Sequence, residues 1–170
     1  PPTHEQVEAF VADDSPDALA RGIERLLDSP QYGEHWGRRW LDVVRYADTA
    51  GENADFPLPH AWRYRNWVIE ATNDDLPIDR FFEMQLAGDL LPAESPGERD
   101  DRLVATGYLL LGSKVLGAFD KEQLTLDVAD EQIDVISKSM LGLTVACARC
   151  HDHKFDPIPQ KDYYALAGIL

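Results

Sequence analysis

The only two cysteines of the chain lie close together, in the segment Cys147-Ala148-Arg149-Cys150-His151. This spacing is typical of covalent haem attachment, in which two thiols bond to vinyl groups of the porphyrin and the adjacent histidine binds the iron. Two residues between the cysteines let both sulfurs reach one edge of the ring, and the next residue brings its imidazole under the iron. Because both cysteines fall within this one pattern, the sequence predicts a c-type haem held by Cys147, Cys150 and His151.

The same residue types suit two other kinds of chemistry. Cys147, Cys150 and His153 have the spacing of zinc ligands, and a fourth ligand such as Asp156 or His60 would complete a tetrahedral set. His151 would then not bind the ion, because two directly bonded residues rarely reach the same small ion. A redox-active disulfide is the remaining alternative, but it usually occurs in a strand-and-helix setting that this sequence does not offer.

A haem iron also has a sixth coordination position, and the sequence offers few side chains for it. His153 is tied too closely to the proximal histidine to reach the opposite face of the ring. We name His60 first, because it follows a proline-rich loop at a predicted helix start, where a side chain can project into a cleft. The spacing predicts that His35 lies on an exposed helical face and that Met84 and Met140 belong to the core.

Proline and glycine residues divide the chain into segments whose apolar residues recur at helical spacing. We predict helices that begin near Thr3, at Ser15 and at Pro159, and further helices over 32–48, 60–73, 77–88, 101–111 and 127–141. No segment shows sustained strand-like alternation bounded by hairpin turns. The sequence therefore predicts an all-α fold, an irregular multi-helix single domain over 1–170 with a flexible loop at 92–99.

Two predictions concern particular helix faces. In the helix over 60–73 the spacing places Trp62, Trp67 and Val68 on a buried face. In the helix over 127–141 the acidic residues Asp127, Asp130, Glu131 and Asp134 are expected on a solvated face.

The composition is that of a globular, acidic protein and makes some classes of partner unfavourable. The chain has 170 residues, of which 44% are hydrophobic and 28% charged, as in ordinary globular domains. Its 31 acidic residues exceed its 16 basic ones, so the net charge is −15 and nucleic acid is an unfavourable partner. No apolar run approaches the roughly 20 residues of a membrane span. The chain begins and ends as an excised piece would, and we expect it to be a fragment of a larger protein.

Several segments resemble a bacterial family of domains of unknown function that is abundant in planctomycetes. The matching segments are Leu26–Glu34, Trp40–Asp48, Ala61–Arg65, Gln85–Pro92 and the run from Leu141 to Ile158. The resemblance implies a large exported protein in which this domain follows a cytochrome c-like domain, so the chain resembles a fragment without the first segment of the domain. Cys147, Cys150, His151, His153 and Asp156 match the terminal motif of the family, which carries no settled reaction.

Two hypotheses follow from the residues and the resemblance. The first is a haem-binding domain, held through Cys147, Cys150 and His151, that transfers electrons within a periplasmic or extracellular oxidoreductase and has the cytochrome-like domain as its partner. The second is a zinc-stabilised module in which Trp62 and Arg63 contact a carbohydrate for binding or hydrolysis.

Overall fold

The fold is built from α-helices, as the sequence predicts. A computed structural model describes residues 2–50, 55–115, 117 and 119–170. These residues form no β-sheet, although Thr49 and Pro57 make one isolated antiparallel bridge. The helices are α1 (His4–Val11), α2 (Ala18–Leu27), α3 (Pro30–Val43), α4 (Ala61–Asn73), α5 (Ile78–Ala87), α6 (Pro96–Ala105), α7 (Lys121–Ile136) and α8 (Gln160–Ala167). Short 3-10 turns occur at Gly88–Leu90, Thr106–Leu110 and Val145–Arg149, and a π-helical turn occurs at Ser137–Leu141.

Two helices begin away from the predicted positions because of side chains near their starts. The prediction that Ser15 caps α2 is wrong: the Ser15 backbone N–H donates to Asp13 Oδ1 at 3.1 Å and its hydroxyl also bonds to that carboxylate. The helix begins three residues later, at Ala18. Helix α7 begins at Lys121, six residues before the prediction, because the Asp120 carboxylate accepts a hydrogen bond of 3.0 Å from the Gln123 N–H.

The loop predicted at 92–99 is shorter than expected. Helix α6 begins at Pro96, where the fixed φ of proline suits the first helical position. The hydroxyl of Ser95 accepts a hydrogen bond of 3.1 Å from the Glu98 N–H, and the Glu98 carboxylate accepts one of 2.7 Å from the Glu94 N–H. These bonds satisfy backbone donors at the helix start, so the second half of the segment is helical.

Helix α3 ends at Val43 rather than at the predicted residue 48. Arg45 has φ 58°, in the left-handed region, and the N–H of Tyr46 donates to the Leu41 carbonyl at 2.9 Å. Together with the bond from the Arg45 N–H to the Asp42 carbonyl, this is a Schellman arrangement, which stops a helix. The chain then turns away toward the start of α4.

Helices α3 and α4 pack closely because α3 has glycines on the contact face. A Cβ atom on Gly33 would lie 2.4 Å from the backbone oxygen of Ile69, and one on Gly37 would lie 3.2 Å from the Ile69 side chain. The Gly33 N–H also donates to Asn73 Oδ1 at 2.7 Å. A larger residue at position 33 would separate the two helices.

The larger core surrounds a buried polar group. Gln85 is fully buried, and its Oε1 accepts hydrogen bonds from the Tyr64 hydroxyl at 2.5 Å and from Trp40 Nε1 at 3.0 Å. Burial raises the pKa of the Tyr64 phenol. The apolar members of this core are Val44, Tyr64, Trp67, Val68, Ala71, Phe81, Ala105, Tyr108 and Val135. Trp62 was predicted on the same face of α4 but is 45% exposed, because it lies away from the α3 contact.

A second, smaller core joins the carboxyl-terminal segment to α7. It contains Ile133 of α7, Val145 and Ala148 of the last 3-10 turn, and Tyr163 of α8. The cysteine-containing segment is therefore packed against two helices. None of the described helices is long and apolar enough to cross a membrane.

Candidate functional site

Both cysteines are exposed, Cys147 within the 3-10 turn Val145–Arg149 and Cys150 directly after it. A 3-10 helix has three residues per turn, so side chains three positions apart share a face. Val145 and Ala148 occupy the inner face and are 4% and 0% exposed, whereas Cys147 and Cys150 are both exposed to solvent. The two thiols are not bonded to each other. The apolar residues Val145 and Ala148 thus anchor the turn in the smaller core, and both thiols remain accessible to solvent.

Arg149, between the two cysteines, fixes the turn to α7. Its Nη1 lies 2.8 Å from Asp130 Oδ2, and the other oxygen of Asp130 accepts a hydrogen bond of 2.5 Å from the Tyr163 hydroxyl. The charge of Asp130 raises the pKa of Arg149, and burial together with the bond to Asp130 raises the pKa of Tyr163. We call Asp130, Arg149 and Tyr163 the clamp.

The backbone of the turn is held from α8. The Arg149 carbonyl accepts hydrogen bonds from Gln160 Nε2 at 3.0 Å and from the Tyr164 hydroxyl at 3.2 Å. The Gln160 N–H, at the start of α8, donates to Asp152 Oδ1 at 2.8 Å. Residues on both sides of Cys150 are therefore fixed by the same helix start.

His151 is exposed and has one ring nitrogen engaged. Its Nδ1 lies 2.7 Å from the carbonyl oxygen of Asp152. Because a carbonyl only accepts, this contact requires the proton on Nδ1, which leaves the Nε2 lone pair available to a metal. Proteins usually orient a metal-binding imidazole in this way, through a hydrogen bond from the ring nitrogen that does not bind the metal.

His153 has a different environment, in which both ring nitrogens are occupied. Its Nδ1 accepts hydrogen bonds from the N–H groups of Phe155 at 3.2 Å and Asp156 at 2.8 Å, and its Nε2 lies 2.9 Å from Thr144 Oγ1. Since Nδ1 acts as an acceptor, the 3.3 Å approach of the Asp156 carboxylate to it is not an ion pair. His153 thus holds the loop that follows Cys150.

The zinc set predicted from the spacing is not assembled. In the described part of the chain no three His, Cys, Asp or Glu side chains lie close enough to hold a metal ion. Zinc binding by Cys147, Cys150, His153 and Asp156 would require His153 to give up at least one of its present partners. The zinc set remains a prediction.

His60 lines a cleft to which no described residue of the cysteine segment contributes. It precedes α4, is exposed, and lines a cleft of about 350 Å³ whose other residues lie between 46 and 64 and between 103 and 111. Its role as the sixth iron ligand stays a prediction. His35 is exposed on α3, and Met84 and Met140 pack against the larger core.

The clamp was not among the features predicted from the sequence. The side chains of Asp130 and Asp134 are only 25% and 14% exposed, because Asp130 pairs with Arg149 and Asp134 pairs with Lys138 and Arg45. The prediction of a solvated face is therefore wrong for Asp130 and Asp134, whereas it is confirmed for Asp127, whose side chain is 52% exposed. The signal available in the sequence was the presence of acidic residues at positions 127, 130, 131 and 134, which one helix brings to neighbouring positions.

Fold and site together define an all-α domain that presents a Cys-x-x-Cys-His segment from a turn held by two helices. The chain belongs to the PSCyt2 family, described as a protein of unknown function (DUF1549), whose model matches residues 1–170. This confirms the resemblance to a domain of unknown function. The planctomycete origin and the neighbouring cytochrome-like domain remain predictions. No curated protein and no solved structure matches the chain.

Proposed function

We propose that this domain carries a c-type haem on Cys147, Cys150 and His151 and transfers electrons within a larger protein. The observation that carries the proposal is the exposure of both thiols at one 3-10 turn, which contains Cys147 and ends directly before Cys150. The family name PSCyt2 is consistent with an association with cytochromes. When bound, haem supplies a one-electron iron couple whose potential depends on its ligands, neighbouring charge and burial.

The residues of the turn fit the attachment chemistry. Each thiol of Cys147 and Cys150 adds across a vinyl double bond: a carbon–sulfur bond forms, the vinyl π bond is lost, and the thiol proton moves to the other vinyl carbon. No oxidant is consumed in this addition. His151 holds its proton on Nδ1 against the Asp152 carbonyl, so Nε2 is the nitrogen available to iron.

The clamp would keep the positions of the two cysteines constant, because it holds Arg149 between them. Asp130 neutralises most of the charge of Arg149, which lies between the two attachment points. Gln160 and Tyr164 hold the carbonyl of the same residue. A rigid attachment segment limits the structural change that accompanies electron transfer, which favours a carrier role. Thioether formation takes place on the outer side of the bacterial inner membrane, so we propose a periplasmic or extracellular location and a neighbouring cytochrome-like domain as electron partner.

The test is to express the chain with an export signal in a bacterium that has haem-attachment machinery. We expect the purified protein to keep its Soret absorption after denaturation and extraction with acidified organic solvent. C147A and C150A should each retain a single thioether, and the double variant should lose all covalent haem. A folded wild-type protein without covalent haem would overturn the proposal.

Elemental analysis of the same samples separates the alternatives. Iron at about one atom per chain supports the haem proposal. Zinc without iron, lost in H153A, would favour the zinc-stabilised module, for which binding to a carbohydrate at Trp62 and Arg63 could then be measured. A protein with neither metal and a mass two protons below the reduced chain would indicate that the cysteines form a disulfide.

A further inference from the structure

Two adjoining cavities, which we call the groove, are lined by described residues between 45 and 113, outside the cysteine segment. Its main chamber, of about 350 Å³, is bounded by the start of α4, the end of α6 and the 3-10 turn at Thr106–Leu110. A second chamber of about 240 Å³ shares four lining residues with the first, namely Ala47, Leu58, Leu110 and Leu111. The combined space is in the range of small-molecule sites, and none of the described residues after 113 lines either chamber.

The walls of the groove are apolar and accessible. Leu58, Leu103 and Leu110 are 40%, 45% and 66% exposed, so their side chains face solvent instead of a packed neighbour. Tyr64 contributes its ring to the wall, while its hydroxyl is bonded to Gln85 in the core. Clustered exposed leucines around a concavity are typical of a binding site.

The charged or protonatable residues that the described part of the chain contributes to the groove are all basic. Acidic residues outnumber basic ones by 31 to 16 in the chain, yet no carboxylate lines either chamber among the described residues. The charged or protonatable side chains that do line them are Arg45, His60 and Arg63. Arg45 is paired with Glu131 at 2.9 Å and with Asp134 at 3.5 Å, which neutralises it.

His60 and Arg63 lie at the other end of the groove. Arg63 lies over the ring of Trp62 at 5.7 Å, and within the described residues no carboxylate approaches it to ion-pairing distance. Arg63 and His60 are therefore the residues that could turn a basic hydrogen-bonding group toward a ligand at this end, and most of the lining is apolar. An anionic group would complement the basic residues at that end. An aliphatic or aromatic body would pack against the apolar wall.

We propose that the groove binds a small apolar monocarboxylate, with its carboxylate at Arg63 and His60 and its apolar body against the exposed leucines. Binding of this ligand would not depend on haem attachment, because no described residue of the cysteine segment lines the groove. The bound ligand would cover Leu58, Leu103 and Leu110.

Calorimetric titration of the intact chain with octanoate tests the proposal, with octylammonium as a probe of equal length and opposite charge. We expect octanoate to bind at least tenfold more tightly than octylammonium. R63Q should weaken octanoate binding by roughly tenfold, since one charge-assisted hydrogen-bonding group is lost. R99Q, which removes an exposed arginine outside the groove, should leave the affinity unchanged.

A second variant tests the location with little risk to folding. Leu110 is 66% exposed, so L110D should fold while placing a carboxylate on the wall. It should abolish octanoate binding and reduce or reverse the preference over octylammonium. The proposal is overturned if octanoate shows no binding at millimolar concentration, if the two probes bind equally, or if R63Q and L110D both bind octanoate as the parent chain does. A chain that binds octanoate without covalent haem would contradict only the haem proposal.

Discussion

Replacing Asp130 with alanine tests whether α7 clamps the segment that carries both cysteines. The substitution removes the acceptor for the Tyr163 hydroxyl and the ion-pair partner of Arg149. Tyr163 is 4% exposed, so its bond to a charged acceptor contributes about 1.5 kcal/mol to the free energy of unfolding. The arginine side chain is 38% exposed, so solvent screening reduces the ion pair to about 0.5 kcal/mol.

The expected loss is therefore about 2 kcal/mol, which lowers Tm by about 4–8 °C in a chain of this size. Thermal unfolding followed by far-ultraviolet circular dichroism measures this shift. D127A is the matched control: Asp127 lies on the same helix but is 3.9 Å from Arg149 and 52% exposed, so its removal should cost less than about 0.5 kcal/mol.

Y163F completes a double-mutant cycle with D130A. If the phenol and the carboxylate act together, the two losses should be less than additive, because each substitution removes the same hydrogen bond. Equal Tm values for D130A and D127A would refute the reasoning, as would full additivity in the cycle.

Three further changes test other parts of the fold. Q85L should destabilise the protein by about 1–3 kcal/mol in chemical denaturation, because the buried Tyr64 hydroxyl would lose its acceptor while the Trp40 N–H keeps only its bond to that hydroxyl. G33A should destabilise by about 1–3 kcal/mol, since its Cβ would overlap the α4 backbone, whereas G97A, with no atom nearer than 4.0 Å, should be neutral or stabilising. Burial raises the pKa of Tyr46 and of Tyr108 to about 12, so above pH 10 the folded state binds more protons than the unfolded state. The free energy of unfolding should therefore fall between pH 10 and pH 12. A free energy of unfolding that stays constant over this range would contradict the prediction.

Helix content was predictable because it depends on local signals. Apolar spacing and prolines at first helical positions located most helices within a few residues. The errors came from contacts that spacing does not reveal. Ser15 has the residue type of a cap but bonds to Asp13, and Arg45 takes the left-handed position that ends α3 without the glycine that usually marks it.

The candidate site was predictable in its residues but not in its surroundings. Cys147, Cys150 and His151 are adjacent in sequence, so their proximity needs no tertiary information. The clamp joins positions 130, 149 and 163, and only the packing of α7, α8 and the 3-10 turn brings them together. The exposure of Trp62 had the same cause, because which side of α4 is buried depends on where α3 lies.

The most direct test of the central claim is the intact mass of the denatured protein, purified from an exporting host with haem-attachment machinery. Haem carried on Cys147 and Cys150 predicts a mass greater than that of the chain by one haem, unchanged by reductant and absent from a C147S/C150S variant. A mass equal to that of the unmodified chain, or two protons below it, would contradict the claim.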